Sequence, residues 1–122
     1  MLIDYGDWRS KGSTLQALSN HKVVSPLESP GEVDVTAHVD FEAVYEAVPP
    51  AISSQLTPQG VFLERLGLTQ RAKVLAKKLE GKALESHVAA HRRLSHPDEM
   101  GNLFKVIGIA SQADHLPAGL DI

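Results

Sequence analysis

A chain of 122 residues with 43% hydrophobic side chains has the size and apolar content of one folded domain, not of a disordered segment. Its net charge of −3, with both signs interspersed, gives no electrostatic footprint for nucleic acid. The absence of cysteine removes disulfides, thiolate metal sites and a cysteine nucleophile together.

Met1-Leu2-Ile3 suits a strand buried on both faces that ends in the turn Asp4-Tyr5-Gly6. A buried strand at the first residue reads as a start inside a fold. Residues 7–12 are polar and loop-like, and residues 14–18 and 21–24 fit either two short strands or one irregular connection. Pro26, Pro30 and Gly31 then hold an extended loop. From Asp40, a good helix cap, the apolar positions Phe41, Val44, Tyr45 and Val48 recur at helical spacing until Pro49-Pro50. Residues 51–56 fit a strand, and Thr57-Pro58 predicts a helix start, with the hydroxyl as cap and proline in the first turn. Gly67 marks the stop of that helix, and Thr69 is expected to cap a second one ending near Gly81. A third helix is expected over 82–94, with Ser95 and Asp98 forming a capping-box-like pair after it. Residues 103–110 are nearly continuously apolar and read as a strand, and 111–122 as a loop-like tail. No apolar run reaches the ~18 residues of a membrane span, and no basic-then-apolar leader opens the chain. The expectation is a soluble, cytoplasmic, untargeted protein.

Four carboxylate or aromatic positions are candidates for a substrate cleft. Asp4 and Tyr5 end a strand that would be central in an α/β sheet, and ligands of open sheets bind beyond the carboxyl ends of such strands. Asp34 and Asp40 crowd a loop-to-helix junction with His38 and Glu42, where helix capping is the leading explanation. His87 and His91 stand at i, i+4, a spacing that can hold a metal from one helix face. The residue after His87 is Val88 and not the glutamate of a zinc-protease motif, so packed histidines are expected and no metal site. Lys77-Lys78 and Arg92-Arg93 read as solvated helix faces. No glycine-rich turn between strand and helix is present to cradle a phosphate, ribose or adenosyl group.

Three stretches carry a family likeness: Ile3-Asp4-Tyr5-Gly6; Pro26-Leu27, Pro30-Gly31 and the block Asp34-Val35-Thr36-Ala37-His38-Val39-Asp40-Phe41; and Gln59, Phe62-Leu63, Leu66-Gly67, Met100-Gly101 and Phe104-Lys105. In that order and spacing they resemble the MidA-like S-adenosylmethionine-dependent methyltransferases. The resemblance implies the carboxyl-terminal part of a Rossmann-like class I methyltransferase fold: strands five to seven with helices, in an incomplete sheet. Residues 1–110 would belong to the methyltransferase domain, with 111–122 as its tail. Leu2-Ile3 would be the fifth strand, 51–56 the sixth, and 103–110 an antiparallel seventh inserted between them.

It further implies S-adenosylmethionine as cofactor of the full-length enzyme, with none bound by this chain alone. A protein arginine would be the methyl acceptor, on a respiratory complex I subunit in the mitochondrial relatives. Nearby carboxylates would orient the guanidinium through bidentate bonds. No catalytic residue is assignable by this route, and none of this chain's residues is expected to bind cofactor. Two readings compete. One is a methyltransferase fragment with Met1 as an internal methionine. The other is a non-catalytic binding module that pairs through its exposed sheet edge, with itself as a homo-oligomer or with another chain. Neither calls for nucleic acid or membrane.

Overall fold

The computed structural model describes residues 1–48, 52–112 and 115–121. In chain order the elements are β1 (Leu2–Asp7), β2 (Gln16–Ser19), β3 (Lys22–Val24), β4 (Asp34–Thr36), β5 (Val39–Asp40), α1 (Phe41–Glu46), β6 (Ile52–Ser53) and β7 (Thr57–Pro58). There follow α2 (Gln59–Arg65), α3 (Leu68–Ala76), α4 (Gly81–Ser95), α5 (Met100–Leu103), β8 (Phe104–Ile107) and β9 (Ile109–Ala110).

The main sheet has the order β5-β1-β8-β7. β1 runs parallel to β5, while β8 is antiparallel to both β1 and β7. The two apolar segments from opposite ends of the chain are therefore neighbours, paired from Leu2↔Ile107 to Tyr5↔Phe104. The antiparallel strand is inserted beside β1 as the family likeness implies, but its other neighbour is β7 and not the expected sixth strand over 51–56, whose Ile52–Ser53 pairs with β9 instead. β6 and β9 add a second antiparallel pair, Ile52↔Ala110 and Ser53↔Ile109. Val106, Ile107 and Phe41 are fully buried and form the centre of the core, with Phe62 nearly so.

Several local expectations give way to tertiary contacts. The expected strand over 103–110 is two strands broken at Gly108, whose N–H is taken by the buried Ser54 hydroxyl (2.9 Å) while its carbonyl accepts from Ser54 N (2.8 Å). β1 is not buried on both faces: Ile3 stays 41% exposed. Thr57-Pro58 forms the short strand β7 and leads directly into α2 with Pro58 at the cap position, but the Thr57 hydroxyl does not cap the helix and instead donates to the Gln55 carbonyl at 3.2 Å. Thr69 does not cap α3, which starts at Leu68 behind Gly67, two residues earlier than a Thr69 cap would set it, with Gly67 held at φ 85° where a side chain is disfavoured. Ser95 ends α4 by donating to the His91 carbonyl (2.9 Å), and Asp98 N turns to His96 Nδ1 (3.2 Å), so the capping box does not form. The part of the helix stop at Pro49-Pro50, and Ala51 of the expected sixth strand, lie outside the described residues.

Residues 14–36 resolve the open choice in favour of strands. They form a three-stranded antiparallel sheet, β3-β2-β4, with fully buried Ala17 opposite Val24 and Val35. The residues of 115–121 fold back on the helices: Arg65 pairs with Asp121 (2.8 Å) and donates to the Gly119 carbonyl (3.2 Å). No helix among the described residues is long and apolar enough to cross a membrane.

Candidate functional site

β1 and β5 run in parallel and end together, Gly6↔Val39 and Asp7↔Asp40, so their carboxyl ends converge on one loop cluster. This approach requires Gly6, since a Cβ there would overlap the Val39 backbone. Lys105 closes the other side, donating to the carbonyls of Gly6 (3.2 Å) and Asn102 (2.5 Å). The start of β8 is thereby held against the end of β1.

Tyr5 is half-buried at this end between His38 (centroids 5.7 Å, 75°) and Phe104 (5.5 Å, 81°), both edge-on. It forms an aromatic wall. Asp4 faces the neighbouring strand opposite Lys105, and its Oδ1 accepts from Tyr5 N (2.8 Å). Asp40 is a structural clasp: Oδ1 accepts from Ala43 N (3.1 Å) as the α1 cap, and Oδ2 from Ser10 N (3.2 Å). A cap of this kind contributes about 1 kcal/mol. Asp34 lies elsewhere, exposed on β4 opposite Leu18. Tyr5 and Asp40 thus belong to the strand-end cluster, with Asp4 beside it, and Asp34 sits on the small sheet.

The strongest charge contact at the cluster involves residues not among those four. Trp8-Arg9, just beyond β1, reaches the first turn of α1. Arg9 grips Glu42 with two donors, Nε to Oε2 (2.5 Å) and Nη2 to Oε1 (2.7 Å), and Trp8 Nε1 adds a third (3.1 Å). Glu42 N in turn donates to the Trp8 carbonyl (2.8 Å). The Arg9 hydrogen bonds hold the Glu42 carboxyl below the usual carboxylate range, against the opposing effect of burial. Tyr45 stacks obliquely on Trp8 (5.6 Å, 55°), and both rings line an open cleft of 440 Å³ with Ser53, Ser54, Gln55 and Leu56. Glu42 is visible in the sequence only as an acid in a helix's first turn. Its partners lie 33 and 34 residues away, beyond what spacing reveals.

A pH titration tests this geometry directly, because Trp8 is the only tryptophan in the chain. A depressed carboxyl pKa means that the contact is complete above the unfolded value and is lost as pH falls through the folded one. The acid transition of Trp8 fluorescence should therefore move to higher pH in Arg9→Ala. An unmoved transition would contradict the contact.

His87 and His91 are used within the helices. His87 Nε2 lies 3.0 Å from the Ala72 carbonyl, and His91 Nε2 lies 2.9 Å from the Thr69 hydroxyl. That hydroxyl gives its one hydrogen to Glu64 (2.5 Å), so it accepts from His91 Nε2–H, which fixes the tautomer. Among the described residues no three metal-ligating side chains converge.

The family described as a putative S-adenosyl-L-methionine-dependent methyltransferase matches residues 1–59. The mitochondrial protein arginine methyltransferase NDUFAF7 of Xenopus laevis is 33% identical over 112 residues, which is 89% of this chain and 25% of that protein. Its Drosophila melanogaster homolog is 30% identical over 112 residues, 89% of this chain and 26% of the other. A likely methyl transferase from Burkholderia thailandensis, solved bound to S-adenosyl-homocysteine, superposes with a TM-score of 0.74 at 30% identity. That match covers 96% of this chain and 32% of the other. The chain spans about a quarter of the length of the curated relatives it matches. Motifs, strand order and relatives agree in their likeness to the MidA-like S-adenosylmethionine-dependent methyltransferases.

Proposed function

We propose that this chain serves as the carboxyl-terminal section of an S-adenosylmethionine-dependent protein arginine methyltransferase, supplying one end of the sheet and the acceptor side of its cleft. The observation that carries this reading is the antiparallel β8 lying between β1 and β7, in a match to a structure bound to S-adenosyl-homocysteine. The protein arginine acceptor is supported by the names of the NDUFAF7 relatives, and a respiratory complex I subunit is the acceptor we favour for the mitochondrial ones.

The residues in hand do not fit the cofactor itself. The loop after β1 is engaged in the Trp8, Arg9 and Glu42 contacts, and no glycine-rich strand-to-helix turn exists in the sequence. Cofactor binding is therefore assigned to a section outside this chain, and the chain alone is expected to be inactive. Its own contribution is positional. Methyl transfer depends chiefly on holding the acceptor nitrogen in line with the methyl group, and the Tyr5–Phe104 wall and the Glu42 carboxylate flank the place where an acceptor would enter.

One observation favours a second reading. Along Leu2–Tyr5 the edge of β1 away from β8 has no strand partner among the described residues. An open edge is a template for pairing, as a non-catalytic module that self-associates would use. Reconstitution with the missing part of a relative separates the two readings: cofactor binding on mixing supports the first, and a stable dimer indifferent to the added part supports the second.

A further inference from the structure

We propose that Glu42 is the carboxylate that clamps the guanidinium of the arginine acceptor, and that Arg9 occupies this clamp until an incoming arginine displaces it. The proposal rests on the arginine methyltransferase reading above and deepens it.

Four observations carry it. First, the bidentate geometry of Arg9 on Glu42 is the arrangement by which a carboxylate recognises a guanidinium, so the clamp is built and holding its chemical class of ligand. Second, the clamp stands where β1 and β5 end together, the crevice in which open α/β sheets bind ligands. Third, no other nearby carboxylate has a hydrogen bond to Arg9: Asp40 holds two backbone N–H groups, Asp4 accepts from Tyr5 N, Asp7 accepts from Trp8 N, Asp34 sits on the small sheet, and Glu46 acts on Arg9 only through its charge. Fourth, the two partners differ in accessibility. Glu42 is 24% exposed while Arg9 is 67% exposed on a loop, so the cation is the removable partner. The Trp8 and Tyr45 rings beside it offer faces on which a second guanidinium stacks during the exchange.

An internal occupant lowers the apparent affinity for the external one by the fraction of clamps left open. The test uses the full chain and Trp8 fluorescence, with a short arginine peptide as probe and the same peptide carrying citrulline, its neutral isostere, as control. Arg9→Ala should bind the arginine peptide saturably and at least about tenfold more tightly than the natural chain. The response should vanish in the double variant with Glu42→Gln and be absent with citrulline. No response in Arg9→Ala, an equal response to citrulline, or one that survives the loss of Glu42 would each overturn the proposal. Arg9→Gln, checked for folding by circular dichroism, repeats the test without shortening the side chain to alanine. The titrations need neither cofactor nor methyl transfer, so failure of the methyltransferase reading would appear in the reconstitution and not here.

Discussion

Replacing Phe41 by alanine should destabilise the chain by about 3–5 kcal/mol, a large share of the roughly 5–15 kcal/mol available to a small domain. Phe41 is the first residue of α1 and is fully buried. It follows the Asp40 cap, and α1 is only six residues long, too short to persist without its anchor. Removing the ring takes away both the transfer free energy and the packing partners of its neighbours. The helix start would then loosen, and with it the Glu42 N to Trp8 carbonyl bond that joins α1 to the end of β1. Urea unfolding measures the loss, and the Trp8 emission of the folded baseline reports the local loosening. Phe41→Leu, which keeps most of the volume, should cost less than about 1.5 kcal/mol. Equal effects from the two substitutions would show that the site does not depend on packing.

Gly101→Ala is expected to cost about 3 kcal/mol, the upper end of the range for overpacked sites. A Cβ at Gly101 would overlap the Ser95 carbonyl, and one at Gly60 would overlap the same group. Three backbone segments cross there: the start of α2, the end of α4 and the start of α5. Backbone cannot yield as a flexible side chain does, so neither glycine tolerates a methyl group. Gln59 reinforces the crossing by donating from Nε2 to the Leu94 carbonyl at 2.9 Å. Gly12 provides the control, because a Cβ there meets nothing within 4 Å. Its positive φ of 76° confines the cost of Gly12→Ala to local strain, on the order of 1 kcal/mol. A urea midpoint for Gly101→Ala no lower than that of Gly12→Ala would contradict the crossing.

The same crossing shows what was legible in the sequence and what was not. Gln59, Met100-Gly101 and Phe104-Lys105 stand out there only as parts of a family likeness, with no physical reason attached. The Gln59 contact to Leu94 spans 35 residues and the Lys105 contact to Gly6 spans 99, and no periodicity encodes these. Where one element's own chemistry decides the outcome, the sequence is informative. The Asp40 cap, the α4 helix, and the apolar run that becomes β8 and β9 all follow from local pattern.

Where two local signals compete, tertiary pairing wins. Thr57-Pro58 does precede a helix, yet Thr57↔Val106 and Pro58↔Lys105 also draw it into the sheet as an edge strand, and the Thr57 hydroxyl makes no cap. Thr69 has the residue type of a cap, but Glu64 and His91 lie close enough to claim its hydroxyl. β4 is short, and it exists because β2 offers it a ladder. At the candidate site, Asp40 was legible as a helix cap and Tyr5 as a strand end. Glu42 was visible as one acid of a crowded junction, but the guanidinium it holds was not.

The most direct measurement concerns the division of labour between this chain and the section that would carry the cofactor. The part of the Burkholderia thailandensis relative that this chain does not match is expressed separately, and the two pieces are titrated with S-adenosylmethionine by calorimetry, alone and mixed. The chain alone should give no saturable heat, and the mixture should bind the cofactor through a complex formed along the open edge of β1. Tight cofactor binding by this chain alone, or a mixture that neither associates nor binds, would contradict that division.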